Sequence, residues 1–219
     1  MHYTVQNLIN IENKIKLNLS NIDIHNLPKI IAVSKTFKID KILPLIDHGH
    51  ADFGENKIQE AVDKWTEIKS NNSNIKLHMI GKLQSNKVKF AVKLFDYIHS
   101  VDSQKLAKKI ADEQFKIKRN IKIFIQVNIG NEIQKSGIDQ TATKNLILFC
   151  KELGLDVIGL MCIPPVNIDP SNYFKEMNQI NKSFEFSELS MGMSSDYIEA
   201  SRNNATFLRI GSSIFGQRS

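Results

Sequence analysis

Apolar residues along the 219-residue chain alternate between two rhythms. Near the start, Val5, Leu8, Ile9, Ile11, Ile15 and Leu19 recur at helical intervals, which predicts a helix over about 3–19. Residues 21–28 break that pattern, and Ile30-Ile31-Ala32-Val33 follows as an unbroken, largely β-branched run. Such a run reads as a strand buried on both faces, as in a parallel sheet. Helical spacing returns over about 39–46, 56–68, 86–95, 103–118, the residues up to Leu153, 172–183 and 195–201. Between these segments lie short apolar strands at about 51–54, 75–80, 97–99, 121–127, 157–160, 186–189 and 206–210. About eight strands alternating with helices is the pattern of an α/β (β/α)8 barrel of TIM type, with an open doubly wound sheet as the rival. No linker, repeat or composition shift divides the chain, so residues 1–219 read as a single barrel domain preceded by one N-terminal helix.

Composition changes this picture little. The chain is 42% hydrophobic and 24% charged, ordinary for a soluble protein with a sizeable core. No apolar run is long enough to span a bilayer, and the N-terminus lacks the layout of a secretory signal. Two cysteines, Cys150 and Cys162, are too few for a disulfide framework and read as buried, inert thiols in a reducing cytoplasm. The net charge of +6 is spread among Asn and Ile rather than gathered in a basic block. The densest cluster, Lys116, Lys118 and Arg119, suits a helix C-terminus. Neither a nucleic-acid partner nor a membrane is therefore expected, and no metal-ligand spacing stands out.

The chemistry gathers at the C-terminal strand tips, where barrels build their sites. The first strand ends on Ser34 and Lys35, and lysine is rarely buried without a partner. Lys35 either reaches solvent past the strand end or offers its amine to a ligand. The other tips bring Gly54-Glu55-Asn56, the 81–86 segment, Asn128, Met161-Cys162, the 190–195 segment and Gly211-Ser212-Ser213. Gly192 and Gly211 let backbone approach a ligand, and each precedes serines where short helices should begin. Free backbone N–H groups there suit a phosphate, although the serines also read as helix caps. Arg209 lies inside the last strand and needs a partner, either a carboxylate such as Glu55 or an acceptor on a ligand. A lysine on the first strand, an arginine on the last and phosphate donors between them fit pyridoxal 5′-phosphate: aldehyde to Lys35, pyridine nitrogen to Arg209, phosphate to the glycine-serine loops.

The chain also resembles a known family at these residues. They are Ala32-Val33-Ser34-Lys35-Thr36, Phe53-Gly54-Glu55-Asn56, the run His78–Lys87, Lys135-Ser136-Gly137, Gly159-Leu160-Met161, Leu189–Ser194 and Arg209-Ile210-Gly211-Ser212. This ordered set, covering nearly the whole chain, resembles the pyridoxal phosphate homeostasis proteins, relatives of the N-terminal barrel of alanine racemase. The resemblance implies that Lys35 forms a Schiff base with the cofactor and that Arg209 faces its pyridine nitrogen. It places Asn56 near the ring, Met161 among the cofactor-binding residues, and Ser190, Ser194, Gly211 and Ser212 around the phosphate. Lys82 and Lys57 depart from the family, which often has a histidine and an aromatic residue there. Lys82 and Lys135 are further lysines to test as transient holders of the cofactor.

Two functions compete. The resemblance implies a carrier that buffers pyridoxal phosphate and delivers it to apo enzymes without turnover; the chain is separately expected to act as a monomer. The alternative is a pyridoxal-phosphate-dependent amino-acid racemase, which needs a base on each face of the substrate. In alanine racemases the second base is a tyrosine placed with the help of an additional β domain, which the sequence ending at Ser219 is expected to lack. Tyr3, Tyr97, Tyr173 and Tyr197 have no evident reason to point into the mouth, although Tyr197 lies close enough to keep open. An arginine at the pyridine nitrogen also weakens the ring as an electron sink, which favours the carrier.

Overall fold

The computed structural model describes residues 1–20, 27–132 and 134–217. Most of the expected break at 21–28 therefore lies outside the described residues. Eight parallel strands pair in chain order and close, β8 returning to β1. They are β1 (Lys29–Val33), β2 (Asp52–Glu55), β3 (Lys76–Met79), β4 (Tyr97–Val101), β5 (Lys122–Val127), β6 (Asp156–Cys162), β7 (Glu188–Met193) and β8 (Phe207–Ile210). The helices are α1 (Tyr3–Leu19), α2 (Leu43–Asp47), α3 (Ile58–Asn71), α4 (Val88–Leu94), α5 (Gln104–Lys116), α6 (Thr143–Glu152), α7 (Ser171–Ser183), α8 (Tyr197–Arg202) and α9 (Ser212–Phe215). The expected (β/α)8 barrel is the observed fold, and the open sheet is excluded by the β1–β8 pairing.

Strand parity divides the apolar residues between two cores. Ile30 and Ala32 of β1, and Leu208 and Ile210 of β8, join the large core between sheet and helices. Their neighbours Ile31 and Phe207 turn inward to meet Tyr97, Phe124 and Met161 in the barrel interior. Arg209 is two residues beyond Phe207 on the same strand, so it too points inward, one layer nearer the mouth.

Three boundaries differ from the sequence reading. The helix expected over 39–46 is a 3-10 turn, Ile39–Lys41, followed by α2 with Pro44 in its first turn, where a missing N–H costs nothing. β6 runs on through Met161 and Cys162, and β7 through Ser190 to Met193. Polar and glycine residues there looked like loop, but the β7–β8 pairing absorbs them in a register shift between Ser190 and Met193. Gly192 sits in that irregularity at φ 88°, a conformation L side chains rarely adopt.

Helix α1 buries Val5, Leu8, Ile11, Ile15 and Leu19 and packs against α8 and α9. Asn7 Nδ2 donates to Ile214 O at 2.9 Å and Tyr3 OH to Phe215 O at 3.2 Å, pinning the short α9. Arg119 of the basic cluster donates to Val92 O at 2.9 Å and so serves the C-terminal end of α4. Cys150 and Cys162 are free, buried thiols pushed up to about 12 by burial, which keeps them protonated and inert. Among the described residues no helix is long and apolar enough to cross a membrane, and no acidic, histidine or cysteine cluster suits a metal.

Candidate functional site

The mouth at the C-terminal strand ends holds a cavity of about 540 Å³. Its walls include Val33, Lys35, Phe37, Asn56, Ile80, Ile163, Met193, Arg209 and the residues of two loops, Ser194-Ser195 and Gly211-Ser212-Ser213. Six strands, β1, β2, β3, β6, β7 and β8, thus send their C-terminal ends to one place.

Lys35 stands on a turn that begins where β1 stops. Ser34 N–H donates to Gly54 O at 3.0 Å, and Ser34 O accepts from Phe37 N–H at 3.1 Å and from Lys64 Nζ at 2.9 Å. Thr36 takes a positive φ of 68°, and its N–H donates to the Glu60 carboxylate. Beneath the turn, the fully buried Glu55 accepts from Ser34 Oγ at 2.8 Å, Lys64 Nζ at 2.9 Å and Trp65 Nε1 at 2.9 Å. This α3 cluster fixes the backbone on both sides of the lysine. Removing Lys64 takes away a cation paired with the buried Glu55. We expect Lys64→Met to cost about 3–5 kcal/mol, read as a lowered urea midpoint with unchanged slope. Asn56 follows β2, the neighbouring strand, and Gly81 packs closely against it: an added Cβ there would stand 2.5 Å from Asn56 O.

Arg209 is only 5% exposed, and its partners are neutral. Nη1 donates to Ser190 Oγ at 2.8 Å and Nη2 to Cys162 O at 2.8 Å. The carboxylate partner suggested at the sequence level is not Glu55, which is committed to Ser34, Lys64 and Trp65. A guanidinium buried on uncharged acceptors favours an electron-rich ligand at its remaining N–H groups.

Across the mouth, two backbone donors converge. Gly211 N–H and Ser213 N–H both reach Ser194 Oγ, at 3.2 and 3.3 Å. Two N–H groups aimed at one oxygen position are what a phosphate oxygen requires. Gly211 has φ −114°, and an added Cβ would meet only Val33, at 3.4 Å or beyond. The fold accommodates a side chain there, so the open space at Gly211 belongs to the cavity.

Of the expected site residues, Lys35, Asn56, Ser194, Arg209, Gly211 and Ser212 line this cavity. Met161 and Ser190 do not; both are fully buried one layer below, Met161 in the interior apolar cluster and Ser190 beneath Arg209. Lys82 is exposed, while Lys135 pairs with Glu132 and donates to Pro164 O at 3.0 Å. Tyr197 packs into the helix-side core rather than the cavity wall. The sequence reading missed Phe37, Ile80, Ile163 and Met193, ordinary apolar residues that only the folded mouth distinguishes. It also missed a buried polar file, His78 and His99, whose signal was a histidine within a mostly apolar strand.

That file runs through the barrel. His78 Nε2 lies 2.9 Å from Asp52 Oδ1, His78 Nδ1 3.0 Å from His99 Nε2, and His99 Nδ1 2.9 Å from Ser190 Oγ. Burial lowers His78 and His99, and lowers His50 nearby despite the opposing Asp52. Burial alone would raise the Asp52 carboxyl, but the His78 hydrogen bond and nearby positive charge outweigh it and hold it low. Unfolded, each histidine takes a proton below about pH 6.5; folded, each stays neutral further down. The unfolded state then binds more protons, so stability is complete above that pH and falls as pH drops below it. We expect up to about 1.4 kcal/mol lost per pH unit per histidine, measured by urea unfolding at pH 7.5 and 5.5.

Sequence and fold both have known relatives. Residues 10–219 match the family model for the alanine racemase N-terminal domain. A pyridoxal phosphate homeostasis protein of Aquifex aeolicus is 34% identical over 203 residues, 88% of each chain. One from Haemophilus influenzae is 36% identical over 204 residues, 88% of this chain and 86% of the relative. The chain belongs to the pyridoxal phosphate homeostasis protein family. The solved structure of PipY from Synechococcus elongatus without PLP superposes with TM-score 0.86 at 30% identity, covering 98% of this chain and all (100%) of that one. PipY with PLP bound gives TM-score 0.81 at 31% identity, covering 92% and 100%. Alanine racemase of Clostridium difficile is 14% identical at TM-score 0.73, over 98% of this chain and 56% of its own, a likeness of fold.

Proposed function

We propose that this protein binds pyridoxal 5′-phosphate in the barrel mouth and serves as a buffer and carrier of it, without catalytic turnover. One observation carries the reading: an amine, a buried guanidinium and two convergent N–H donors share one cavity of about 540 Å³, a size suited to a cofactor. The residues present fit the group. When bound, it supplies an electrophilic aldehyde beside an aromatic nitrogen and a phosphate. Lys35 Nζ holds it covalently as a Schiff base, with water as the leaving group. Arg209 donates to the ring nitrogen, which keeps that nitrogen unprotonated. Asn56 flanks the ring, Met161 and Ser190 support the floor, and Ser194, Gly211 and Ser212 hold the phosphate. The names of these relatives and the PLP-bound PipY structure support this ligand.

The carrier reading rests on what surrounds Lys35. Lys35 and Arg209 are the ionisable groups among the described residues lining the cavity, and an arginine is a poor base. A racemase requires a second base, worth about 10²- to 10⁴-fold. We propose further that the protein acts as one barrel unit, a cytoplasmic monomer, with apo enzymes that need the cofactor as recipients.

The test is optical and then chemical. The protein loaded with pyridoxal phosphate should show a visible band that hydroxylamine removes; absence of the band sinks the binding reading. Incubation with L-alanine in D₂O should give at most traces of the D-enantiomer. Sustained turnover near one per second, the low end for ordinary enzymes, would replace the carrier with the racemase and make Tyr197 the next residue to change.

A further inference from the structure

Arg209 does not reach its position alone. Behind it stands the file Ser190–His99–His78–Asp52, which crosses the barrel interior toward the opposite end of β2. We infer that this file is a one-way hydrogen-bond chain, and that Ser190 and His99 are positioning residues that aim the Arg209 guanidinium into the mouth.

The direction follows from the two ends. A guanidinium carries donors only, and an ionised carboxylate accepts only. Ser190 Oγ therefore accepts from Arg209 Nη1 and commits its own hydrogen to His99 Nδ1, 2.9 Å away. His99 then carries its proton on Nε2 and donates to His78 Nδ1. His78 carries its proton on Nε2 and donates to Asp52 Oδ1. The reverse order would set a bare nitrogen lone pair of His78 against the carboxylate at 2.9 Å, with the histidine closed to water. Only the first order satisfies every atom with both rings neutral, and burial opposes charging either ring.

Packing holds the rings in that order. His78 stacks on Tyr97 with centroids 4.3 Å apart, and His99 stacks on Phe124 at 4.3 Å. Neither ring can turn without opening the interior core. A serine hydroxyl is normally a free rotor, but here its hydrogen is claimed by His99, which leaves its lone pairs to Arg209. With Nη2 fixed on Cys162 O as well, the guanidinium plane is set from two sides. Its remaining N–H groups then face the cavity that Arg209 lines. The last step, from a fixed plane to ring-nitrogen recognition, rests on the cofactor reading above; the proton order does not.

The experiment separates the two. In cofactor-free full-length protein with ¹⁵N-labelled histidine, two-bond ¹H–¹⁵N correlation at pH 7.5 should show His78 and His99 both neutral with the proton on Nε2. A proton on Nδ1 of either ring, or a charged ring, overturns the chain. In Ser190→Ala the His99 Nδ1 signal should move to that of an unbonded nitrogen. Pyridoxal phosphate affinity should fall about tenfold, the scale of one hydrogen bond to a charged group. Ser190→Thr, which keeps the hydroxyl, should restore both. A moved His99 signal with unchanged affinity overturns the positioning role and leaves the cofactor reading standing. Wild type that fails to bind pyridoxal phosphate overturns that reading, and the positioning role with it.

Discussion

Lys35→Ala is expected to abolish covalent retention of pyridoxal phosphate while the barrel stays folded. The side chain is half-buried at the mouth, on a turn whose geometry comes from Ser34, Thr36 and Phe37 backbone bonds and from Lys64 and Glu60. Those contacts lie on the backbone of the turn and on Lys64 and Glu60, and truncating the Lys35 side chain keeps them. The visible band should vanish, and the cofactor should leave on dialysis. In the wild type, borohydride reduction and peptide mapping should place the pyridoxyl group on Lys35. Finding it mainly on Lys82 or Lys135 would contradict the assignment. Ligand at about a hundred times its dissociation constant adds roughly 2.7 kcal/mol, so the melting-temperature rise that wild type shows with cofactor should shrink sharply in the variant.

The second large effect concerns the phosphate. A phosphate carries close to two negative charges at neutral pH and suits aligned backbone donors. Gly211 N–H and Ser213 N–H are such donors, already turned toward one point at Ser194 Oγ. Two or three charge-assisted bonds at about 1.5–3 kcal/mol each amount to a loss of a hundredfold or more when the phosphate is absent. Pyridoxal should therefore bind at least about a hundredfold more weakly than its phosphate. Gly211→Val should produce a comparable loss for the phosphate ester. That glycine has a negative φ and room for a Cβ against Val33, so the substitution adds bulk at the cavity wall without straining the backbone. Unchanged melting of the unliganded variant would separate the ligand effect from the fold, and equal affinity for pyridoxal and its phosphate would contradict the site.

Much of this was readable before folding because charges in apolar strands are costly and therefore conspicuous. Lys35 after Ile30–Val33, and Arg209 between Leu208 and Ile210, stand out against their neighbours without any knowledge of the tertiary structure. The alternation of β-branched runs with helical spacing likewise determined a parallel α/β sheet, since a parallel strand buried on both faces has little choice but to be continuous and apolar; its closure into a barrel was decided by the β1–β8 pairing. What the alternation left open was depth. A bulge in β7 and the two-residue extension of β6 decided that Ser190 and Met161 lie beneath the mouth rather than around it. Arg209's partners also required the tertiary structure. Glu55, on β2 beside β1, faces α3 and Trp65, whereas Ser190 comes from β7, which pairs directly with β8, and Cys162 O from β6, one strand further round. The same holds for His78 and His99. Each is a buried histidine flanked by an apolar residue on a mostly apolar strand, and only strand parity together with ring closure brings them between Asp52 and Ser190. Sequence determines which residues are expensive to bury; the tertiary structure decides which of them share that cost, because partnership depends on distances between strands that lie far apart along the chain.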